Sequence, residues 1–197
     1  MLLALPIWAA MYVGTLERVP QGLTGVLGEG EELYVETGCA GCHRADGGGG
    51  IGPELANGEV HLTFTSVEDQ MAWIARGSSI VGTGNPYSSP GSQRPRIVLG
   101  TPPMPGFGAE AATSLDVESL LAVTLYERTQ LNPSDEDIAS DLALAQQLDL
   151  MIESGELELL LNETGLSLSD VPSGRELTSE GLTLYFAAAR ALAAADG

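Results

Sequence analysis

The feature that most constrains this chain is a pair of cysteines, Cys39 and Cys42, followed at once by His43 in the segment TGCAGCH. The 197 residues contain no other cysteine. A run of four glycines begins four positions later, at Gly47. Because the whole supply of thiols stands within four residues, the chemistry of this segment decides what the rest of the fold must surround.

Two cysteines at this spacing suit a redox dithiol, half of a zinc site or a haem attachment point. A zinc site needs about four ligands, and outside the segment the chain adds one histidine, His61. A dithiol of the thioredoxin type adjoins a βαβ unit, and no such alternation surrounds it here. Haem attachment needs no further partner, since two thioethers hold the porphyrin and His43 reaches the iron. A disulfide or two structural thiols is the simplest alternative.

The composition is that of a globular protein with an acidic surface. Hydrophobic residues make up 44% of the chain, and 27 acidic against 8 basic residues give a formal charge of −19. All the basic residues are arginines. No nucleic acid partner is expected, because phosphate contacts require a basic face. The charge serves solubility, or it steers the protein towards positively charged partners.

The first sixteen residues, MLLALPIWAAMYVGTL, carry no charged side chain. They are shorter than the ~20 residues of a full transmembrane helix, and they lack the basic start of a secretory signal. We expect residues 1–16 to form an uncleaved membrane anchor, with a cleavable signal as the alternative. Residues 17–27 then form a linker. Either interpretation places the rest of the chain outside the cytoplasm.

The remaining pattern predicts an all-α fold, because helical periodicity recurs and no strand pattern of any length is present. A short helix from EGEELY runs into the cysteine motif, with acidic residues at its start. A second helix covers SVEDQMAWIARG, with Ser66 as its cap and Gly77 as its end. A third, amphipathic helix covers SLDVESLLAVTLYERTQL, with Ser114 or Asp116 as its cap. Residues 78–107 are rich in glycine and proline and predict a loop.

Several motifs resemble, in the right order, those of the class I c-type cytochromes. GEELYVETGCAGCH resembles the first helix and haem-binding motif of that family, and GGGGIGPEL the turn after it. MAWIARGS resembles the middle helix, GTPPMPGFG the loop with the sixth iron ligand, and VESLLAVTLYERTQ the closing helix. Gly30, Tyr34 and Tyr126 look like the contact between the first and last helices. The resemblance covers residues 28–131, about half the chain.

The resemblance implies one covalently bound haem c. Cys39 and Cys42 would carry the two thioethers, and His43 would be the proximal iron ligand. It also implies that the carbonyl of Pro53 accepts the other ring N–H of His43, which fixes the tautomer and orientation of the ligand.

The sixth iron ligand has three candidates, and an empty sixth position is the remaining alternative. Met104 lies in PPMP, where prolines stiffen the loop, and it matches the family's motif, so we expect it to bind the iron together with His43. Met71 lies within a predicted helix, where a methionine at helical spacing is usually core packing. His61 would make a bis-histidine site, and we expect it instead to be a surface or loop histidine.

Three further residues have two interpretations each. Trp73 donates its indole N–H to a haem propionate or fills the core. Arg94 and Arg96 neutralise propionates or belong to a solvated loop.

These expectations favour one-electron transfer by a membrane-tethered cytochrome c, with its haem domain on the extracytoplasmic (periplasmic or outer) face. It would be a free shuttle or a subunit of a respiratory or photosynthetic complex, between a quinol-oxidising unit and a terminal acceptor. The alternative is a haem enzyme or gas sensor with a labile sixth ligand. The family's lysine ring for docking is missing here, so its partners do not carry over.

Residues 132–197 form an acidic helical extension outside the resemblance, with thirteen acidic residues and two arginines. A disordered acidic tail would lack apolar stripes, but two are present: Ile138, Leu142, Ala145, Leu148 and Ile152, and then Leu182, Leu184, Tyr185 and Phe186. Isolated helices are marginal in water. We therefore expect the extension to dock on a neighbouring subunit and serve assembly, with the outer surface of its own haem domain as the lesser alternative.

Overall fold

The computed structural model describes residues 22–99, 102–108, 111–133 and 138–155, and within them the predicted helical fold is confirmed. The described part contains α1 (Gly25–Glu36), α2 (Cys39–His43), α3 (Glu59–Thr63), α4 (Val67–Arg76), α5 (Val117–Thr129) and α6 (Ile138–Ser154). Between α4 and α5, the two-residue strands β1 (Pro86–Tyr87) and β2 (Arg96–Ile97) pair antiparallel. This pair interrupts the stretch that the sequence predicts as loop.

Two predicted segments lie outside the described residues: the anchor at 1–16 and the apolar stripe from Leu182 to Phe186. Among the helices that are described, none is both long and apolar enough to cross a bilayer. The linker predicted at 17–27 ends earlier than expected, because α1 begins at Gly25.

The start of α1 is capped from far along the chain. Thr24 stands at the N-cap, but its side chain makes no capping hydrogen bond. Instead the backbone N–H of Val26 donates to Oδ1 of Asp149, on α6, at 2.7 Å. The glutamates expected at the helix start lie beyond its first turn. The carboxylate that meets the positive end of the helix dipole therefore comes from the C-terminal extension.

Helices α1 and α5 share the largest contact between helices. At Gly30 the backbones approach so closely that a Cβ atom would overlap the carbonyl of Ala122 and lie 2.7 Å from Cβ of Tyr126. The rings of Tyr34 and Tyr126 pack beside this point, with centroids 5.4 Å apart and planes tilted by 46°. The contact expected between the first and last helices of the haem domain is confirmed.

The predicted helix boundaries of α4 and α5 are also confirmed. Oγ of Ser66 accepts a hydrogen bond from the backbone N–H of Asp69 at 3.2 Å, and α4 is followed by Gly77, at φ 71°. The carboxylate of Asp116 accepts from the N–H of Ser119 at 2.8 Å. Each side-chain oxygen satisfies one of the N–H groups that a helix leaves unpaired at its start.

The sequence predicts one apolar side for α5, but the structure buries this helix all round. Every residue from Leu120 to Thr129 is at most 8% exposed. A helix in this situation lies at the centre of a fold rather than on its surface. Helices α1, α4 and α6 all pack against it.

The packing of α6 corrects the expectation that the extension docks on a neighbouring subunit. Over residues 138–154, the lesser alternative is the one observed. The side chains that α6 buries against its own domain are Asp141, Leu144, Ala145, Leu148 and Met151. The predicted stripe had Ile138, Leu142 and Ile152 instead, of which Ile152 is 37% exposed.

A buried ionic cluster explains why the buried face of α6 includes an aspartate. Nε of Arg128 donates to Oδ2 of Asp141 at 2.6 Å, and its Nη1 donates to the carbonyl of Phe64 at 3.0 Å. Nε2 of His61 lies 3.2 Å from the same oxygen of Asp141. Burial raises the pKa of Asp141, but the hydrogen bond from His61 and the charge of Arg128 outweigh it and lower that pKa below its ordinary value. The cluster ties α3 and α6 to α5.

Removing α6 is expected to destabilise the domain. A chain that ends at Leu131 loses the burial of Leu144, Leu148 and Met151, each worth about 1.5–3 kcal/mol. It also leaves Arg128 buried without its carboxylate, which is strongly unfavourable. Since a domain has a total stability of about 5–15 kcal/mol, we expect thermal denaturation followed by circular dichroism to show a greatly lowered or absent cooperative transition.

The matched control for this truncation is a chain that ends at Gly155 and so keeps α6. It is expected to retain the cooperative transition. If both truncated chains unfolded at the same temperature as the full chain, α6 would not be part of the stable domain.

Candidate functional site

The structure gathers every site residue predicted from the sequence around one open cavity of about 500 Å³. A cavity of this volume is in the range of sites that hold large organic ligands. Apolar side chains on its wall include those of Leu55, Ile74, Val98 and Phe107. The predicted site residues that line it are Cys39, Cys42, His43, Pro53, Trp73 and Met104.

The two cysteines share one short helix, α2. Both are free thiols, Cys39 buried and Cys42 half-buried. Residues three apart on a helix lie on the same face, so both thiols face the same cavity. Burial, followed by the charge of Glu127, raises the pKa of the Cys39 thiol to about 11. A redox dithiol depends on a lowered thiol pKa, so this environment does not support the dithiol interpretation.

The zinc interpretation finds no support either. Within the described ranges, no three His, Cys, Asp or Glu side chains come together in a way that could hold a metal ion. His61, the extra ligand that such a site would need, is 8% exposed and engaged with Asp141. It is therefore neither the surface histidine that the sequence suggests nor a ligand in the cavity.

His43 is held in one orientation by its ring nitrogen. Its Nδ1 lies 2.7 Å from the carbonyl oxygen of Pro53. Because a carbonyl only accepts, Nδ1–H is the donor, and Nε2 is left as the nitrogen with a free lone pair. Burial lowers the pKa of His43, although the Pro53 carbonyl opposes this. The imidazole is therefore neutral, which is the form that binds a metal ion.

The glycine-rich segment folds tightly against this histidine. Gly49, at φ 80°, donates its N–H to the carbonyl of His43 at 3.0 Å. The N–H of Gly52 donates to the carbonyl of Cys42 at 2.9 Å. A Cβ atom on Gly52 would lie 2.6 Å from Cε1 of the His43 ring. The tight turn expected here is present, and its closest approach is to the imidazole.

The backbone of Met104 is fastened to the end of α4. Its N–H donates to Oγ of Ser78 at 2.8 Å, and the N–H of Ser78 donates back to the carbonyl of Met104 at 3.0 Å. A Cβ atom on Gly77 would lie 2.5 Å from the backbone nitrogen of Gly106, so these two segments of the backbone are in direct contact. Met104 itself is half-buried at the cavity. Met71, by contrast, is fully buried in the core cluster, as its helical spacing predicts.

Trp73 belongs to an aromatic stack on the cavity wall. Its ring lies parallel to that of Tyr87, with centroids 4.0 Å apart and planes within 6°. Phe64 packs at 6.3 Å from the same indole. The tryptophan is half-buried and lines the cavity, so packing is the role that its contacts show.

Of the two arginines, Arg96 is largely buried and so is not the residue of a solvated loop, whereas Arg94 is exposed. Both line the cavity, and both form ion pairs with Glu59 on α3. Nε of Arg96 also donates to the hydroxyl of Thr63 at 2.9 Å. The Arg96 side chain is 15% exposed and that of Arg94 is 55% exposed. Two guanidinium groups with one carboxylate leave a net positive charge at this side of the cavity.

Sequence reasoning missed three charged residues of the cavity, Glu54, Glu59 and Glu127, of which Glu127 is the buried one. It lines the wall and is 4% exposed, and Nε2 of Gln70 donates to its Oε2 at 2.8 Å. A signal was available in the sequence, since a glutamate directly after the apolar run LLAVTLY shares a helix with many core residues. The interpretation of α5 as amphipathic gave no reason to expect a glutamate of this helix to be buried.

Residues 27–117 match the family model described as Cytochrome c. This segment is similar to a cytochrome c domain. Its cofactor is covalently bound haem c, the cofactor expected from the sequence. Comparisons with curated proteins and with solved structures give no match. The match ends at the start of α5, whereas the packed core continues through α5 and α6.

The residues around the cavity fit haem c on their own geometry. Cys39 and Cys42 are free thiols on one helix face, and the neighbouring imidazole of His43 has Nδ1 engaged and Nε2 available. Apolar groups form much of the wall, as a porphyrin requires, and the guanidinium groups of Arg94 and Arg96 provide charge for acidic substituents.

Replacing Gly52 with alanine is expected to disturb the cytochrome c domain through His43. The added Cβ overlaps the imidazole, and overpacking of this kind costs about 1–3 kcal/mol. We expect a lower melting temperature and a smaller fraction of purified chain that carries haem. The control is Gly41→Ala within the same motif, because a Cβ there meets nothing within 4 Å. Equal haem content and stability in both variants would show that the ring does not depend on this contact.

Proposed function

We propose that the chain is a one-electron carrier whose haem iron has both axial positions filled by protein. Haem c supplies a reversible one-electron couple when bound. Cys39 and Cys42 would hold it by thioethers, and His43, through Nε2, and Met104 would be the two iron ligands from the protein. With both positions occupied there is no open place for a substrate, so electron transfer is the remaining chemistry.

The observation that carries this proposal is the fastening of Met104. Two hydrogen bonds with Ser78 fix its backbone at a cavity that His43 also lines. A methionine held in this way loses little further freedom when its sulfur binds a metal ion, which favours a stable sixth ligand. The same fastening argues against the alternative of a haem enzyme or gas sensor, since such a protein needs a sixth ligand that leaves easily.

The protein residues set the conditions for electron transfer. His43 keeps its orientation through the Pro53 carbonyl, which also raises the basicity of the ligand. The apolar wall keeps water from the iron, and thioether ligation by Met104 raises the reduction potential relative to two imidazoles. Together these features suit a carrier at the high-potential end of an electron-transfer chain.

We also propose where in the cell the carrier acts. Residues 1–16 tether it to a membrane, with the haem domain on the extracytoplasmic (periplasmic or outer) face. It passes electrons between a quinol-oxidising unit and a terminal acceptor in a respiratory or photosynthetic complex. The uncharged N-terminal segment and the covalent attachment of the haem support this placement.

The redox partner has a surface that is complementary to an acidic protein. With a formal charge of −19 and no lysine, the chain does not offer a basic ring to an acidic partner. Exposed apolar side chains line part of the cavity instead: Ile51 at 67%, Ile97 at 56% and Leu99 at 72%. We expect the partner to meet this apolar surface and to carry positive charge around it.

Replacing Met104 with alanine tests the ligation. The variant is expected to have a lower reduction potential and, in the ferrous state, to bind carbon monoxide rapidly, because the sixth position becomes open. Met71→Leu is the control, and its spectrum and potential should match the wild type. Rapid carbon monoxide binding by the wild-type protein would favour the gas-sensor alternative, and survival of the iron–sulfur charge-transfer band in Met104→Ala would exclude this ligand.

Gentle solubilisation of the membrane, followed by identification of co-purifying proteins, tests the placement. A fixed subunit should remain with quinol-oxidising or terminal oxidase subunits at both low and high salt. A free shuttle should instead be released by detergent without these subunits. Its reaction rate with its partner should also fall as the salt concentration rises. Recovery of the chain in the soluble fraction, without detergent, would contradict the tether.

A further inference from the structure

One buried carboxyl group at the haem cavity has no part in holding the haem. Glu127 lies on α5, is 4% exposed and lines the same cavity as Cys39, His43 and Met104. Buried glutamates are rare in proteins unless they are paired. The position of this one, on the wall of a redox site, calls for a function.

The neighbours of Glu127 leave it without an opposite charge. Its hydrogen-bond donor is the neutral amide of Gln70, on α4, at 2.8 Å. The guanidinium next to it in sequence, that of Arg128, pairs with Asp141 at 2.6 Å and donates to the carbonyl of Phe64. Its Nη1 also donates to Oε1 of Gln70 at 3.3 Å, so it reaches Glu127 only through that amide. Among the described residues Glu127 forms no ion pair. A carboxylate here is therefore stabilised by one amide hydrogen bond and opposed by burial.

The other titratable groups that face Glu127 do not relieve this. Tyr34 on α1 donates its hydroxyl to the carbonyl of Arg44 at 2.8 Å, and it is a neutral phenol. The thiol of Cys39 on α2 becomes a thioether in the holo protein and does not titrate. Beyond Arg128, the charged groups on the α3 and α6 side are the buried His61–Asp141 pair and Glu59, which is itself paired with Arg94 and Arg96 on the cavity wall. Burial, opposed by the Gln70 hydrogen bond, raises the pKa of Glu127 to about 8.

We propose that Glu127 is a proton-binding site coupled to the oxidation state of the haem, so that the domain takes up a proton with its electron. One electron from a donor protein reduces the iron from ferric to ferrous. One proton from solvent then binds an oxygen of the Glu127 carboxylate and forms an O–H bond. When the electron leaves to an acceptor protein, that O–H bond breaks and the proton returns to solvent. This inference rests on the proposed one-electron function.

The coupling follows from charge in a poorly screened place. The ferric site carries one positive charge more than the ferrous site, and this charge favours a neighbouring carboxylate. Reduction removes this positive charge, so the ionised form of Glu127 is less stabilised and the proton affinity of the carboxylate rises. Because Glu127 is buried, this interaction is screened less than one between surface charges at the same distance. Conversely, loss of the Glu127 proton favours the ferric state and lowers the reduction potential.

The experiment measures the reduction potential of the full holo protein as a function of pH. In the wild type, the potential is expected to fall as pH rises through the region near pH 8. The steepest possible slope is about 59 mV per pH unit, which is a tenfold change in proton concentration converted for one electron. Glu127→Gln keeps the size of the side chain and removes the proton, so this fall should disappear. Glu36→Gln, on the exposed face of α1, is the matched control and should retain it.

A second variant and a second readout keep the test decisive if Glu127→Gln does not retain haem. Gln70→Leu removes the hydrogen bond that favours the carboxylate, so the fall should move to higher pH. The redox difference infrared spectrum of the wild type should show a protonated carboxyl C=O band in the reduced state only, within the pH range of the fall.

The inference is overturned if the wild-type potential does not change over this range. The same holds if Glu127→Gln keeps the full dependence, which would assign the proton to the haem propionates or another group. A haem that shows no reversible one-electron reduction in any variant would instead overturn the proposed function. The two failures are thus distinct.

Discussion

The hydrogen bond from Nδ1 of His43 to the carbonyl of Pro53, 2.7 Å long, is the interaction on which the site depends. It fixes the tautomer, so that Nε2 is the nitrogen left for iron. The segment after the glycine run makes this bond possible, since Gly52 brings its backbone against the ring, where a Cβ would collide. The covalent and coordinating chemistry of the motif is useful only because the loop after it returns to the same imidazole.

The second constraint is the burial of α5. Because its residues from 120 to 129 are covered on all sides, the two charged residues at its C-terminal half need partners in the interior. Arg128 obtains a carboxylate from α6, a helix that lies beyond the matched family segment. The carboxyl group of Glu127 accepts a hydrogen bond from the amide of Gln70 and forms no ion pair among the described residues. Helix α6 thus completes the core of the domain, and the cavity keeps a carboxyl group without an ion pair.

Much of the domain could be predicted because its signals are local. The cysteine motif and the caps at Ser66 and Asp116 each depend on a few neighbouring residues, and all are observed. The close approach of Gly30 to Ala122 and Tyr126 is a contact between distant segments, and it was expected from the family resemblance. The errors concern long-range packing. Whether a helix face is covered depends on residues far along the chain, so neither the burial of α5 nor the docking of α6 followed from periodicity. The burial of Glu127 could not be predicted either, because it depends on the same long-range packing around α5.

The central claim is that the cytochrome c domain holds one haem through Cys39 and Cys42, and the mass of the denatured chain tests it most directly. Purified protein is unfolded in acid and acetone, and the intact polypeptide is weighed. We predict the mass of the chain plus one haem, and the mass of the chain alone when both cysteines are replaced by serine. A wild-type chain that gives up its haem to acid and acetone would contradict the claim and return the two thiols to a structural role.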